Sequence, residues 1–351
     1  MTMKAVVWNG AEVTVDYARP LPNLRDDYLL IRTVAVALNP TDSKAVSQKR
    51  AHKNGLLGCD FAGVVEEIGP HVTKPWKRGD RVFGVTFGGN PSNPEDGAFA
   101  EVIVAKGDTC MRIPDNISFE EAASIGVSAI TDGQGLFEEM KLNLPTDPIQ
   151  EKEYLLVYGG SSSTGTLAIQ YGKLAGYSVI TTCSPKNSDL VISRGAEAVF
   201  DYSDPKCGQQ IYDYTRGKLK LVFDTIGSEL GIEICNTALS KELGCRYGTI
   251  LLNDFPRKDA IRTDSILMTF LGEPIDLFGK HFPANAAHFE FAKMFTDLTE
   301  SLLEKGKLRA HPVIVRQGGL RGILDGLKLI RDGKISGAKL VYRVAETDQS
   351  I

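Results

Sequence analysis

The stretch Tyr154-Leu155-Leu156-Val157-Tyr158-Gly159-Gly160-Ser161-Ser162-Ser163-Thr164-Gly165 decides the fold. An apolar run of strand length meets a turn of small residues. A helical pattern follows, with Leu167, Tyr171 and Leu174 at i, i+4 and i+7. Gly176 suits a left-handed cap at the end of that helix. Small residues let the backbone turn sharply and approach a pyrophosphate, and the helix N-terminus offers unpaired N–H donors and a positive dipole. Ser161, Ser162, Ser163 and Thr164 add hydroxyl donors. The bland alternative is a tight strand-to-helix turn with no ligand. Inside a βαβ unit the turn reads as a dinucleotide site. Ser162 stands where the middle glycine of the usual fingerprint would be, so phosphate would rest on hydroxyls as much as on bare backbone.

Downstream, residues 178–183, 198–202, 220–224 and 247–252 read as strands, alternating with helical segments at 188–194, 209–215 and 232–239. This alternation predicts an α/β fold, a Rossmann doubly wound parallel sheet. Upstream, the chain reads as strands and turns at 4–8, 13–17, 28–37, 63–68, 80–85 and 98–104. Asn9-Gly10 between the first two is a hairpin signal. Helical patterns are scarce there until Ser118, which forms a capping box with Glu121. A helix over 288–304, a strand over 312–315, a helix over 320–331 and a strand over 339–343 complete the chain, and 141–152 reads as a surface loop.

At 351 residues the chain has room for about two domains of ~150 residues. Acids outnumber bases 44 to 40, for a net charge of −4, which argues against nonspecific nucleic-acid binding. The six cysteines are scattered with no C-x-x-C pair, which suits free thiols in a reducing compartment. No secretory h-region and no run of ~18 apolar residues is visible, so the expectation is a cytoplasmic protein with no membrane partner.

The end of the second strand of the alternating region selects the dinucleotide. An NAD site usually places an acid there, for the ribose 2′-hydroxyl. Here the strand ends Cys183-Ser184-Pro185-Lys186-Asn187. Ser184, Lys186 and Asn187 can donate to a 2′-phosphate, Lys186 supplies charge, and Tyr202 after the third strand can join them. NADPH is the expected cofactor.

The whole chain resembles the medium-chain dehydrogenase/reductase superfamily. The carriers are Ala37-Leu38-Asn39-Pro40-Thr41-Asp42, Gly58-Cys59-Asp60-Phe61-Ala62-Gly63-Val64-Val65, Gly79-Asp80-Arg81-Val82 and the glycine-rich turn. The resemblance implies a GroES-like, mainly β catalytic domain over 1–130, a Rossmann NADPH-binding domain over 131–280 and a return to the catalytic domain over 281–351. Zinc members carry cysteine and Gly-His-Glu ligands; this chain has Pro40-Thr41-Asp42 and Gly58-Cys59-Asp60, and residues 85–97 hold no cysteine. The expectation is no metal at either zinc position.

Within the zinc-free branch, Asn39-Pro40-Thr41-Asp42-Ser43-Lys44, Tyr158-Gly159-Gly160-Ser161, Cys183-Ser184-Pro185-Lys186-Asn187, Ser193-Arg194-Gly195-Ala196-Glu197, Phe200-Asp201-Tyr202 and Ser336-Gly337-Ala338-Lys339-Leu340-Val341 resemble the fungal trans-acting enoyl reductases of polyketide synthases. That resemblance implies that Thr41, Asp42, Ser43 and Lys44 lie at the nicotinamide end. Ser161 to Thr164 would hold the pyrophosphate. Ser184, Pro185, Lys186, Asn187 and Tyr202 would hold the 2′-phosphate. Leu251, Leu252, Ser336 and Gly337 complete the cofactor set. Thr131 would stand at the substrate end, and Pro274, Ile275, Asp276, Leu277 and Phe278 would wall an acyl chain.

The implied reaction adds hydride to the β-carbon of an enoyl thioester. Lys44 and Thr131 are the candidate donors to the developing enolate, Lys44 alternatively being only a cofactor contact. The substrate is acyl-carrier-bound or a small enoyl molecule, and a polyketide synthase is the expected partner, although no charge run marks its docking patch. Competing readings are a stand-alone zinc-free reductase of small alkenals, quinones or aldehydes, and an NADPH-binding protein with a non-reductive role.

Overall fold

The computed structural model describes residues 1–277 and 279–348. The chain divides into two compact units, Met1–Val127 with Met268–Ile351, and Ser128–Leu267.

In the first unit a seven-stranded sheet runs Val313–Arg316, Lys339–Arg343, Tyr28–Ala37, Asp60–Ile68, Arg81–Val85 and Met111–Arg112, with Val102–Lys106 also paired to Tyr28–Ala37. A smaller sheet sets Thr2–Trp8 between Val13–Pro20 and Gly55–Leu56. The Asn9-Gly10 hairpin forms as the sequence implies: Asn9 Oδ1 accepts from the amides of Ala11 (2.8 Å) and Glu12 (2.9 Å), and Trp8 pairs with Val13. Leu29, Ile31, Phe61, Phe99 and Tyr342 lie in one apolar core. Burial of each such side chain contributes ~1.5–3 kcal/mol.

Two upstream expectations change. The strand expected at 98–104 is Val102–Lys106, while Ala100 makes only an isolated bridge to Ala5. A helix, Pro40–Ser47, stands where no helical pattern was seen. It buries only Asp42 and Ala45, too few positions to display a period. Its start is nevertheless written locally: Asn39 is the N-cap, Pro40 takes the first turn, and Asp42 Oδ2 accepts from the Asn39 amide at 2.7 Å.

The second unit is a six-stranded parallel sheet in the order Ala198–Phe200, Ser178–Thr182, Tyr154–Tyr158, Leu221–Asp224, Arg246–Thr249, Ile261–Asp264. Numbered along the chain, that is 3-2-1-4-5-6, the doubly wound order. The sixth strand lies beyond those read from the sequence. The strand order reverses between Tyr154–Tyr158 and Leu221–Asp224, and there the glycine-rich turn emerges. A helix, Gly126–Asp132, continues into a π-helical turn, Gly133–Glu139; neither was expected.

Candidate functional site

The turn after Tyr158 needs its glycines. Gly159 has φ +82°, a left-handed conformation, and a Cβ on Gly160 would lie 1.9 Å from Thr181 Oγ1. The serines divide their work. Ser162 caps the helix Ser163–Leu174 through the Gly165 amide (2.9 Å) and meets Thr225 Oγ1 at 3.0 Å. Ser163 pairs with Ser128 (2.7 Å). Ser162 is thus a structural cap as well as a candidate phosphate contact. Thr225 ties the turn to the neighbouring strand end, its hydroxyl also donating to Tyr158 O at 2.9 Å. The sequence reading missed Thr225; its position directly after the fourth strand was the available signal.

At the end of Ser178–Thr182 the structure brings together two residues 18 apart in sequence: the hydroxyls of Ser184 and Tyr202 are 3.0 Å apart. Lys186 is exposed beside Pro185 and Asn187 in a short 3₁₀ turn, and has no carboxylate at ion-pair distance among the described residues. Two hydroxyls and an ammonium form a donor set that fits a phosphate monoester better than a ribose diol, which calls for a carboxylate acceptor. Leu251 and Leu252 follow Arg246–Thr249, with Leu252 41% exposed. Thr131 is buried in Gly126–Asp132. Its neighbour Asp132 is fully buried, with neither carboxyl oxygen hydrogen-bonded among the described residues, and burial pushes its pKa well up.

In the first unit Thr41, Asp42, Ser43 and Lys44 share the helix Pro40–Ser47. Asp42 is buried and used as the cap, and burial pushes its pKa up to about 7. Lys44 reaches the surface; partial burial of its ammonium, with Arg50 nearby, lowers its pKa.

Beneath this helix lies a polar centre that the sequence reading did not foresee. Asp60 is fully buried. Its Oδ2 accepts from Asn39 Nδ2 (2.8 Å) and from the Lys339 ammonium, and its Oδ1 accepts from the Val127 amide (2.7 Å). Lys339 also donates to Ser124 O at 3.3 Å. The zinc-ligand positions of the resembling enzymes therefore hold a buried carboxylate already neutralised by a lysine of this chain. Burial, with Asp42 and Asp60 alongside, pushes the adjacent Cys59 thiol well up, away from the thiolate a metal would need.

The remaining candidates are scattered through the first unit. Ser336 is exposed, and Gly337 has φ +67° just before Lys339–Arg343. Ile275 and Leu277 are buried, Pro274 is exposed, and Asp276 is held by His281 Nδ1 and Ser92 Oγ, each at 2.9 Å. This segment is half of a hairpin, Ile275–Leu277 with Lys280–Phe282, and its Ile275 and Leu277 side chains are already covered. Phe278 lies outside the described residues.

The alcohol dehydrogenase GroES-like domain model matches residues 25–115. An alcohol dehydrogenase superfamily protein from Novosphingobium aromaticivorans superposes with TM-score 0.79 at 22% identity, over 98% of this chain and 100% of that one. The CurK enoyl reductase gives 0.73 at 17%, over 98% and 99%. These establish the fold of a medium-chain dehydrogenase/reductase. Sequence comparison goes further. A trans-enoyl reductase of Alternaria alternata is 44% identical over 97% of this chain and 98% of its own length. One from Aspergillus sclerotiorum is 40% identical over 97% and 100%. The chain belongs to the trans-enoyl reductase family.

Proposed function

We propose that the protein is an NADPH-dependent, trans-acting enoyl reductase that reduces the α,β-unsaturated thioester of a carrier-bound polyketide intermediate. The observation that carries this reading is full-length similarity to trans-enoyl reductases. The Ser184, Lys186 and Tyr202 donor set supports NADPH over NADH. The neutralised Asp60 supports catalysis without zinc. Six free, buried cysteines suit a reducing compartment, and among the described residues no helix is long and apolar enough to cross a membrane.

Bound NADPH supplies the hydride for the β-carbon of the enoyl group. The chain must then stabilise negative charge on the thioester oxygen and deliver a proton to the α-carbon. Lys44 is suited to both: its ammonium carries the charge, and its lowered pKa brings proton release closer to neutrality. Thr131 offers a second, uncharged donor. Ser161 to Thr164, at the helix N-terminus, would hold the pyrophosphate. No serine or cysteine nucleophile is required, and the mechanism uses none.

The test follows NADPH oxidation at 340 nm with four acceptors: a crotonyl thioester, a longer α-methyl enoyl pantetheine thioester, a small enal and a quinone. Fastest turnover of the long thioester is the expected outcome. Faster turnover of the enal or quinone would make the protein a stand-alone reductase. Tight NADPH binding with no oxidation would remove hydride transfer from the proposal. Lys44→Ala is expected to lower kcat about 100-fold with little change in NADPH affinity.

A further inference from the structure

Between Asp42 and Asp60 the chain carries Lys44, Lys49, Arg50, His52 and Lys53 and not one acid, although its net charge is −4. In the sequence, neutral residues dilute this run. The fold concentrates it. After the helix Pro40–Ser47, Lys49 turns left-handed at φ 53°, and the amides of Arg50 and Ala51 both return to Ala45 O, at 2.9 and 3.0 Å. The backbone therefore doubles back over the helix end instead of running away from Lys44. The Lys53 stem lies over Gly10, with its Cγ 3.2 Å from where a Cβ on that glycine would stand. Lys44, Lys49, His52 and Lys53 are exposed. Among the described residues none of these three lysines has a carboxylate within ion-pair distance. The helix Gly319–Arg331, packed against Pro40–Ser47, uses its Asp325 on Lys328 at 3.0 Å.

Unpaired like charges at close quarters repel one another and contribute nothing to folding, so a partner that neutralises them gains binding energy and association rate. We propose that this surface, at the C-terminal end of the helix that carries Lys44, docks the acidic face of the carrier domain that delivers the enoyl thioester. The proposal rests on the enoyl-reductase reading. It adds a specific role for Lys49 and Lys53, which hold the carrier while Lys44 acts on its cargo. Attraction of this kind acts over about one Debye length and weakens as salt rises.

The experiment compares the native protein with the double variants Lys49→Glu/Lys53→Glu and Lys49→Arg/Lys53→Arg on one crotonyl group presented three ways. The carriers of that group are N-acetylcysteamine, coenzyme A and an isolated phosphopantetheinylated acyl-carrier domain. Charge reversal should lower kcat/KM for the carrier-domain substrate at least about tenfold, leave the N-acetylcysteamine thioester within about twofold, and be rescued by the arginine pair. Equal loss on all three substrates, or no loss on the carrier domain, would overturn the proposal. Loss on coenzyme A as large as on the carrier domain would overturn it too, by assigning the lysines to the phosphates of the arm. Should the native protein reduce none of the three, the enoyl-reductase reading fails by itself. Docking is then read without turnover, by fluorescence anisotropy of a labelled holo-carrier domain. Salt-sensitive binding, weakened about tenfold in the glutamate pair alone, upholds the surface; identical binding by all three proteins rejects it.

Discussion

Each unit holds a fully buried aspartate beside its candidate site, and the two are kept in place by different physics. Asp60 is met by a full positive charge: Lys339, itself 4% exposed, joins Asn39 and the Val127 amide on one carboxylate. Among the described residues Asp224 has no cation within ion-pair distance. Its side chain accepts there from dipoles, the amides of Ile226 and Gly227 at 2.9 Å each and the Tyr247 hydroxyl at 2.7 Å. Burial accordingly raises the Asp224 pKa, its donors offsetting only part of the effect. The ionic centre ties three segments distant in sequence to the start of the Lys44 helix. The dipolar centre joins the end of Leu221–Asp224 to its neighbour Arg246–Thr249 through Tyr247, next to Thr225 and the glycine-rich turn. Where segments far apart in sequence must be held, the chain uses a charge pair; between adjacent strands, two backbone amides and one hydroxyl suffice.

The sharpest way to break this contrast is to remove the cation. Lys339→Met strands a buried carboxylate and is expected to cost about 3–5 kcal/mol in denaturant unfolding. Lys339→Met with Asp60→Asn removes both charges and should recover much of that loss, because the desolvation penalty disappears with them. A double variant no more stable than the single one would mean that the pair contributes through shape and not charge.

Asp42, between Asn39 and Cys59, tests the same ionic centre through pH. Its pKa rises on folding from the ordinary carboxylate range to about 7. Between those values the folded state holds a proton that the unfolded state has released, so the unfolded chain binds fewer protons and stability falls as pH rises. The contribution is fully present at about pH 4 and gone above about pH 7. Asp42→Asn keeps an acceptor for the Asn39 amide and removes the titration. Its unfolding free energy should change less than the native protein's over pH 4 to 7 by on the order of 2–4 kcal/mol, with the variant gaining on the native protein as pH rises. A parallel pair of profiles would show that Asp42 stays ionised throughout.

The sequence disclosed the dipolar centre's surroundings better than the ionic one. Period-2 and period-3.6 patterns belong to neighbouring residues, so the Tyr154–Tyr158 strand, the turn and the helix Ser163–Leu174 were legible, and so was the alternation that implies a parallel sheet. The missing acid after Ser178–Thr182 was legible too, and the fold adds that Ser184 and Tyr202 meet. The Asp60–Lys339 pair spans 279 residues, and no local pattern announces a partner so remote. The helix Pro40–Ser47 failed for the opposite reason: it is too short and too little buried for periodicity, and only its cap residues, Asn39, Pro40 and Asp42, reveal it. The acyl-chain wall at 274–278 comes from the resemblance and not from a local pattern, and a resemblance does not say whether an apolar face meets a ligand or the protein's own interior. The burial of Ile275 and Leu277 favours the interior.

Asp224→Asn probes the dipolar centre. The amide oxygen can keep both backbone donors, while its NH₂ turns the Tyr247 hydroxyl from donor into acceptor. With no cation left unpaired, the expected cost is about 1 kcal/mol, several-fold below that of Lys339→Met. A cost as large as the lysine variant's would erase the distinction between the two centres.

The smallest expected effect lies at the rim of the second unit, where the polar groups are neither buried nor ionic pairs. Tyr202 is 37% exposed, and its hydroxyl meets Ser184 at 3.0 Å. Either atom can donate, so one proton of the pair remains for a phosphate oxygen. Tyr202→Phe removes that donor and leaves the ring and the fold in place. A single hydroxyl bond to the phosphate, weakened by open solvent, is worth about 0.5–1.5 kcal/mol, which corresponds to a rise in Kd for NADPH of roughly two- to tenfold. NADH, which lacks the phosphate, should bind the variant as it binds the native protein. Lys186→Ala should weaken NADPH more, because it removes the charge-assisted contact. Equal weakening of both cofactors by Tyr202→Phe would place the hydroxyl against a group they share, such as the ribose or adenine. The 2′-phosphate assignment would then rest on Lys186 alone.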